Sequence, residues 1–184
     1  MMKIILAFLP LIAFLFAQRV IGPDSALIAA ATVALGMTLT NIVIRRVDVK
    51  MLDLGSTVLF CGLAAYVHFS AVHLTLAQIR LCIDSGLLLI VLISVLTGRP
   101  FTLQYSPTSA LHDPKIFQAH KVISGMWVAA FATMAAVDVL WILYPDLPTG
   151  GMVATSAAIT VSAWLASRRY IAGIKAGSAE SSSR

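Results

Sequence analysis

Apolar residues in this chain do not alternate with polar ones; they run together in long blocks. Six stretches, at residues 4–21, 25–44, 55–76, 79–97, 122–144 and 150–166, carry almost no charge. Each is about 20 residues long, roughly what a helix needs to cross a ~30 Å hydrocarbon layer. Breakers and polar residues separate them: Gly22-Pro23-Asp24 after the first, the short His73–Gln78 turn after the third, and Pro145 to Gly150 before the last. The pattern predicts an all-α polytopic membrane bundle of about six transmembrane helices. It forms a single domain over 1–175, and a Gly- and Ser-rich tail, 176–184, is expected to be disordered.

Composition sharpens this picture. Hydrophobic residues make up 59% of the chain and charged ones only 11%, whereas a soluble domain has about a quarter of its residues charged. The net charge of +5 is distributed unevenly. With the N-terminus in the cytoplasm, eleven of the 13 Lys and Arg fall on the inner side, and only Arg19 and Arg80 fall outside. That asymmetry predicts that both termini lie in the cytoplasm. It assigns the basic excess to orientation and lipid headgroups, with no nucleic-acid partner. The first span is expected to be retained, since Leu15-Phe16-Ala17 lacks the small-x-small pattern of a cleaved leader.

Local features add detail. Cys61 and Cys82 sit at different depths on adjacent spans, so they read as buried free thiols. Trp127, Trp141, Tyr144, Trp164 and Tyr170 fall near span ends, as an interfacial belt would. Small residues recur every four positions in the second span (Ala26, Ala30, Ala34, Thr38), the fifth (Gly125, Ala129, Thr133) and the sixth (Gly150, Ala154, Ala158, Ser162, Ala166), marking expected packing faces. The long connection from Gly98 to Lys121 opens with Arg99-Pro100-Phe101-Thr102-Leu103-Gln104-Tyr105. It then offers Asp113 as a cap and Pro114 as a first helical residue.

The candidate chemistry is sparse. His68, Arg80, Asp84 and Asp138 are expected in one polar layer near the outer surface. Ionisable groups at membrane depth face a partner or a cavity. Two readings stay open: the groups neutralise one another, Arg80 with Asp84 and Asp138 with Arg19 or His68, or the aspartates are proton or cation sites. There is no nucleophile elbow, phosphate-binding glycine loop or metal-ligand spacing, so no catalytic residue, metal or cofactor is expected. Asp113 beside His112 and near His120 could imitate an acid–base pair, but helix capping explains it better.

Several short motifs fall into a familiar order. Phe8-Leu9-Pro10-Leu11 opens an apolar run, Lys50-Met51 leads into the third span, and Gly98-Arg99-Pro100 leaves the fourth. The run Pro114-Lys115-Ile116-Phe117-Gln118-Ala119-His120-Lys121 then precedes Trp127. From about Phe8 to Arg169 this layout resembles intracellular septation protein A, a YciB-like superfamily of small bacterial inner-membrane proteins. Arg99 to Tyr105 stands where better-known members have Lys-Lys-Pro-Leu, which places the resemblance with an uncharacterised branch. The resemblance implies a non-enzymatic protein of envelope biogenesis or septation acting through protein contacts. Arg99, Pro100, Phe101, Gln104 and Tyr105 are the expected partner surface, and the lipid bilayer, protein partners and further copies of itself the expected associates. The competing expectation is a small permease or ion-coupled carrier using Asp84 and Asp138.

Overall fold

The computed structural model describes residues 7–44, 50–70, 74–105 and 114–182. Among the described residues six helices follow one another: α1 (Leu9–Ile21), α2 (Pro23–Leu39), α3 (Met51–Phe69), α4 (Leu76–Leu96), α5 (Pro114–Leu143) and α6 (Thr149–Ser182). A wider π-type turn, Thr40–Ile44, extends α2, and a 3-10 segment, Phe101–Tyr105, lies between α4 and α5. Each helix packs on the next in sequence, as short connections between antiparallel neighbours require. The bundle therefore has a turn end, carrying the α1–α2, α3–α4 and α5–α6 turns. Its basic end carries the α2–α3 and α4–α5 connections together with Lys50, Arg99, Lys121 and Arg168.

Five helices are long and apolar enough to cross a membrane. The sixth, α1, is apolar but has 13 described residues, about 20 Å of helix; residues 4–6 of the expected first span lie outside the described ones. Large apolar side chains cover the outward faces, among them Phe16, Val43, Val58, Leu89, Leu140 and Val161. An aqueous protein would hide such a surface, and a lipid bilayer accepts it. The chain is a multipass membrane protein by these measures.

Local chemistry explains the helix ends. Pro10 and Pro23 sit in the first turns of α1 and α2, where a missing N–H costs nothing. Gly22 between them holds φ at 81°, a left-handed value that favours glycine. Thr75 and Gln78 form a reciprocal capping box that opens α4. At its other end Gly98, at φ 68°, lets the Arg99 N–H reach the Ser94 carbonyl at 3.0 Å, a Schellman closure.

The boundaries depart from the sequence expectation in instructive places. Span three starts at Met51 and ends at Phe69, not at 55 and 76, because the capping box claims Thr75 and Gln78 for α4. The sixth helix continues to Ser182, through most of the tail expected to be disordered; a helix already nucleated adds one hydrogen bond per residue at small cost. Hinge residues 45–49, His73, and His112 with Asp113 lie outside the described residues.

Packing faces differ too. The α2 stripe of Ala26, Ala30, Ala34 and Thr38 is buried, because α2 is held between α1 and α3. The α5 and α6 stripes are exposed. Helix α6 instead turns Ser156, Ala163 and Ser167 inward, with Thr160 donating to Met134 Sδ at 3.6 Å. Only 11% of its apolar stretch is buried, against 33–39% in the other four spans, so α6 is a peripheral helix. Trp127 and Trp141 are core residues and not belt residues: Trp127 stacks on Phe8 at 4.9 Å and tilts against Phe131. Cys82 is exposed, and Cys61 is half-buried with its thiol 3.9 Å from the Ala31 carbonyl; both are free.

Helices α3 and α4 approach most closely at two glycines. A Cβ on Gly86 would run into Leu59 Cδ1, and one on Gly55 would meet Ile90 Cδ1 at 2.8 Å, whereas Gly62 faces open space. Gly86→Leu is expected to destabilise the bundle by about 1–3 kcal/mol relative to Gly62→Leu, the cost of overpacking. Thermal unfolding of the two variants in the same detergent checks this; equal midpoints contradict the packing described.

Candidate functional site

Two polar clusters are built into the bundle, one toward each end. The first joins α4 to α5. Arg80 lies one turn into α4, and Asp84 follows on the same face at i,i+4. Asp138 comes from the last two turns of α5. The helices run antiparallel, so eight residues down α4 from Leu76 and five back from Leu143 reach similar depths, ~12 Å and ~8 Å from the turn end. Arg80 Nε donates to Asp138 Oδ1 at 3.2 Å, and its Nη2 lies 3.9 Å from Asp84 Oδ2. All three residues are buried, at 3%, 2% and 0% exposure.

This triad contains three of the four residues expected in the polar layer. His68 does not join it. Because α3 ends at Phe69, His68 rides at the helix mouth, exposed and edge-on to Phe69 at 5.1 Å. Arg19 is exposed as well. The partner of Asp138 is thus Arg80, bridging two helices, and neither of the residues expected for it. The pairing remains incomplete: Arg80 Nη1, Asp84 Oδ2 and Asp138 Oδ2 are buried without a hydrogen bond. Buried polar atoms are nearly always bonded, so these mark the costliest point in the bundle.

The second cluster docks the α4–α5 connection onto the basic end. The carboxylate of Asp53, in the first turn of α3, is buried. Tyr105 Oη donates to its Oδ1 at 2.6 Å, and Asn41 Nδ2 donates to its Oδ2 at 3.3 Å. Gln104 Oε1 accepts from the Met51 N–H at 2.8 Å, satisfying an open donor of the α3 N-terminus. The Lys50 ammonium lies 4.1 Å from the Tyr105 ring centroid, a cation–π contact. On the other side, the Phe101 N–H donates to Ser94 Oγ at 3.2 Å, and Thr102 Oγ1 bonds to both the His120 carbonyl and Ser124 Oγ. The connection is therefore fastened to α3, α4 and α5 together.

Of the five residues expected to form a partner surface, Arg99 is exposed. Pro100 and Phe101 are buried, and Gln104 and Tyr105 are half-buried with bonds inside the chain. Their roles in the fold are those of a plug. The sequence carried one signal of this: interleaved apolar and polar residues after a fixed-φ proline suit a short segment with one face against a bundle. Asp53 and Asn41 were not singled out, because a helix-start aspartate is ordinarily a solvated first-turn acid.

Beside the plug, Thr102, His120, Trp127, Trp164 and Ser167 line a cavity of about 20 Å³, room for about one water. The Trp164 Nε1 donor is buried there without a hydrogen bond, and Arg168 stacks over its ring at 4.8 Å. No group of three or more His, Cys, Asp or Glu among the described residues could hold a metal ion.

The chain matches no family model, no curated protein and no solved structure. Its reading rests on these two clusters.

Burial, followed by the hydrogen bond to Asp53 and that residue's charge, pushes the Tyr105 hydroxyl well above its ordinary pKa. Its neutral form is the one the fold favours. The contribution of the bond is therefore whole below about pH 10 and declines as pH rises beyond that value. Tyr105→Phe is expected to cost about 1–2 kcal/mol at neutral pH, the value of a partly screened bond to a carboxylate. Unfolding midpoints from neutral to strongly alkaline pH check both points. The variant should lose less stability than the unmutated chain over the alkaline part of the range.

Proposed function

We propose that the chain is a non-enzymatic multipass protein of a bacterial inner membrane, with both termini in the cytoplasm, acting through contacts with other envelope proteins. The observation that carries this reading is how the chain uses its own chemistry. Buried Arg80 is bonded to Asp138 across α4 and α5, buried Asp53 is bonded to Tyr105, and the cavity beside the plug holds about 20 Å³, against the ~300–1,000 Å³ of a small-molecule site. The motif order shared with the septation protein A superfamily supports an envelope or division role. The charge asymmetry supports the orientation.

Within this reading the partner surface at the basic end reduces to what is exposed there, with Arg99 at its centre. Arg99→Ala is expected to weaken partner recruitment without lowering membrane abundance. Phe101→Ala, which empties a fully buried site, should lower abundance itself. A photo-crosslinking residue at position 99 in native membranes should give a discrete protein adduct. Adducts with lipid alone would overturn the reading.

A second reading, a small ion-coupled carrier, is favoured by one observation: the triad places two carboxylates against one guanidinium inside the spans. It predicts flux in proteoliposomes that Asp84→Asn or Asp138→Asn abolishes. Absence of any pH- or ion-driven flux in the unmutated protein would remove it.

A further inference from the structure

Counting charge in the triad leaves a remainder. Arg80 offers one positive charge to two carboxylates, and all three groups are at most 3% exposed. With both aspartates ionised the cluster is left with one uncompensated negative charge inside the apolar layer. An isolated charge there is among the most unfavourable arrangements a protein can hold. The hydrogen-bond pattern shows the same deficit. Asp84 and Asp138 both lie against the Arg80 guanidinium, yet Oδ2 of each is buried and receives no hydrogen bond. Ionised carboxylates only accept, so neither can satisfy the other; one protonated carboxyl group can donate to its neighbour.

We infer that the Asp84–Asp138 pair binds a single exchangeable proton, making the triad a protonation site at membrane depth that alternates between net charge −1 and neutrality. Binding adds one proton from water to a carboxylate oxygen, and release returns it, with no other bond made or broken. Two carboxylates facing one guanidinium are the arrangement in which one carboxyl group holds its proton while the other stays paired. The charge-assisted bond from Arg80 Nε to Asp138 Oδ1, at 3.2 Å, leaves Asp84 the more weakly compensated partner at 3.9 Å.

A metal cation fits less well. Group I and II ions take a shell of oxygen ligands, whereas here a guanidinium stands between two carboxylates and no third acidic, His or Cys ligand joins them among the described residues. Among the described residues, neighbouring elements supply no other titratable group to the pair. On α3, Tyr66 and His68 are exposed and Asp53 is bonded to Tyr105 at the far end. On α4, Cys82 is exposed, as are Arg19 on α1, Asp24 on α2, and Tyr144 and Asp146 in the α5–α6 turn. Helix α6 carries no ionisable residue before Arg168. This inference stands apart from the contact role proposed above and holds whether or not the chain moves an ion.

With only eight Asp and Glu in the chain, infrared spectroscopy can isolate the signal. The experiment is a pH titration of the full-length purified protein in lipid, in H₂O and D₂O, following the carbonyl stretch of protonated carboxyl groups. The expected result is one band that shifts in D₂O and fades as pH is raised. It should vanish in both Asp84→Asn and Asp138→Asn, survive in Asp53→Asn, and ignore added sodium or potassium at fixed pH. If one Asn variant fails to fold, the other reads the same band, and the titration of the unmutated protein stands on its own. The inference is overturned if no such band exists while the protein is folded. It is likewise overturned by a band that neither titrates nor exchanges, by one that survives in a folded Asn variant of the pair, or by one displaced by added alkali cation.

Discussion

A guanidinium buried one helical turn into α4 has few ways to exist in an apolar layer, and Arg80 takes the most economical one. Its Nε meets Asp138 across the α4–α5 interface, while the rest of its fork stays near Asp84 one turn along its own helix. Removing Arg80 leaves buried carboxylates without a cation, and removing Asp138 takes away the carboxylate hydrogen-bonded to its Nε; either loss costs more than the pair itself contributes. The α4–α5 register is therefore tied to the charge balance: sliding one helix past the other by a turn would separate Arg80 from Asp138 by about 5 Å. Glycines at the α3–α4 contact, small residues along α2 and the turn-end caps all assume the positions of α4 and α5.

The same rule shapes the basic end in a different manner. There the connection from α4 to α5 folds back as a plug, and its backbone and hydroxyl groups reach α3, α4 and α5 through Gln104, Tyr105, Thr102 and the Phe101 N–H. Irregular backbone is tolerated near a membrane only where protein satisfies it. The plug meets that condition with side-chain partners on three helices. This leaves Arg99 outside, next to the glycine that ends α4. A contact role at this end thus depends on a few exposed groups carried by a rigid mount.

Between the two clusters, the core is built from apolar and aromatic layers, with Phe14, Phe60, Phe101 and Phe131 fully buried. Ion pairs at one end and a hydrogen-bonded carboxylate at the other fix helix register at two levels. In lipid, apolar contacts alone distinguish registers poorly, because the surrounding chains are as apolar as the side chains. Peripheral α6 lacks any ion pair among the described residues and relies on small and hydroxylated residues against α5. It is the least anchored helix of the bundle.

How much of this was legible beforehand follows from which forces act locally. Unbroken apolar runs, turn residues and proline positions depend on neighbours in sequence, and they foretold an all-α membrane chain and the start of α5 at Pro114. The i,i+4 pairing of Arg80 with Asp84 was legible for the same reason. Where α3 ends was not, since a Thr75–Gln78 capping box and four further apolar residues, Ala71, Val72, Leu74 and Leu76, compete for the same stretch, and with it went the depth of His68. The choice of Arg80 as partner for Asp138, the inward turn of Tyr105 onto Asp53, and the burial of one small-residue stripe out of three depend on which helices become neighbours. Only packed backbones decide that, because a side chain 58 residues away in the chain, as Asp138 is from Arg80, acquires its distance solely through the fold.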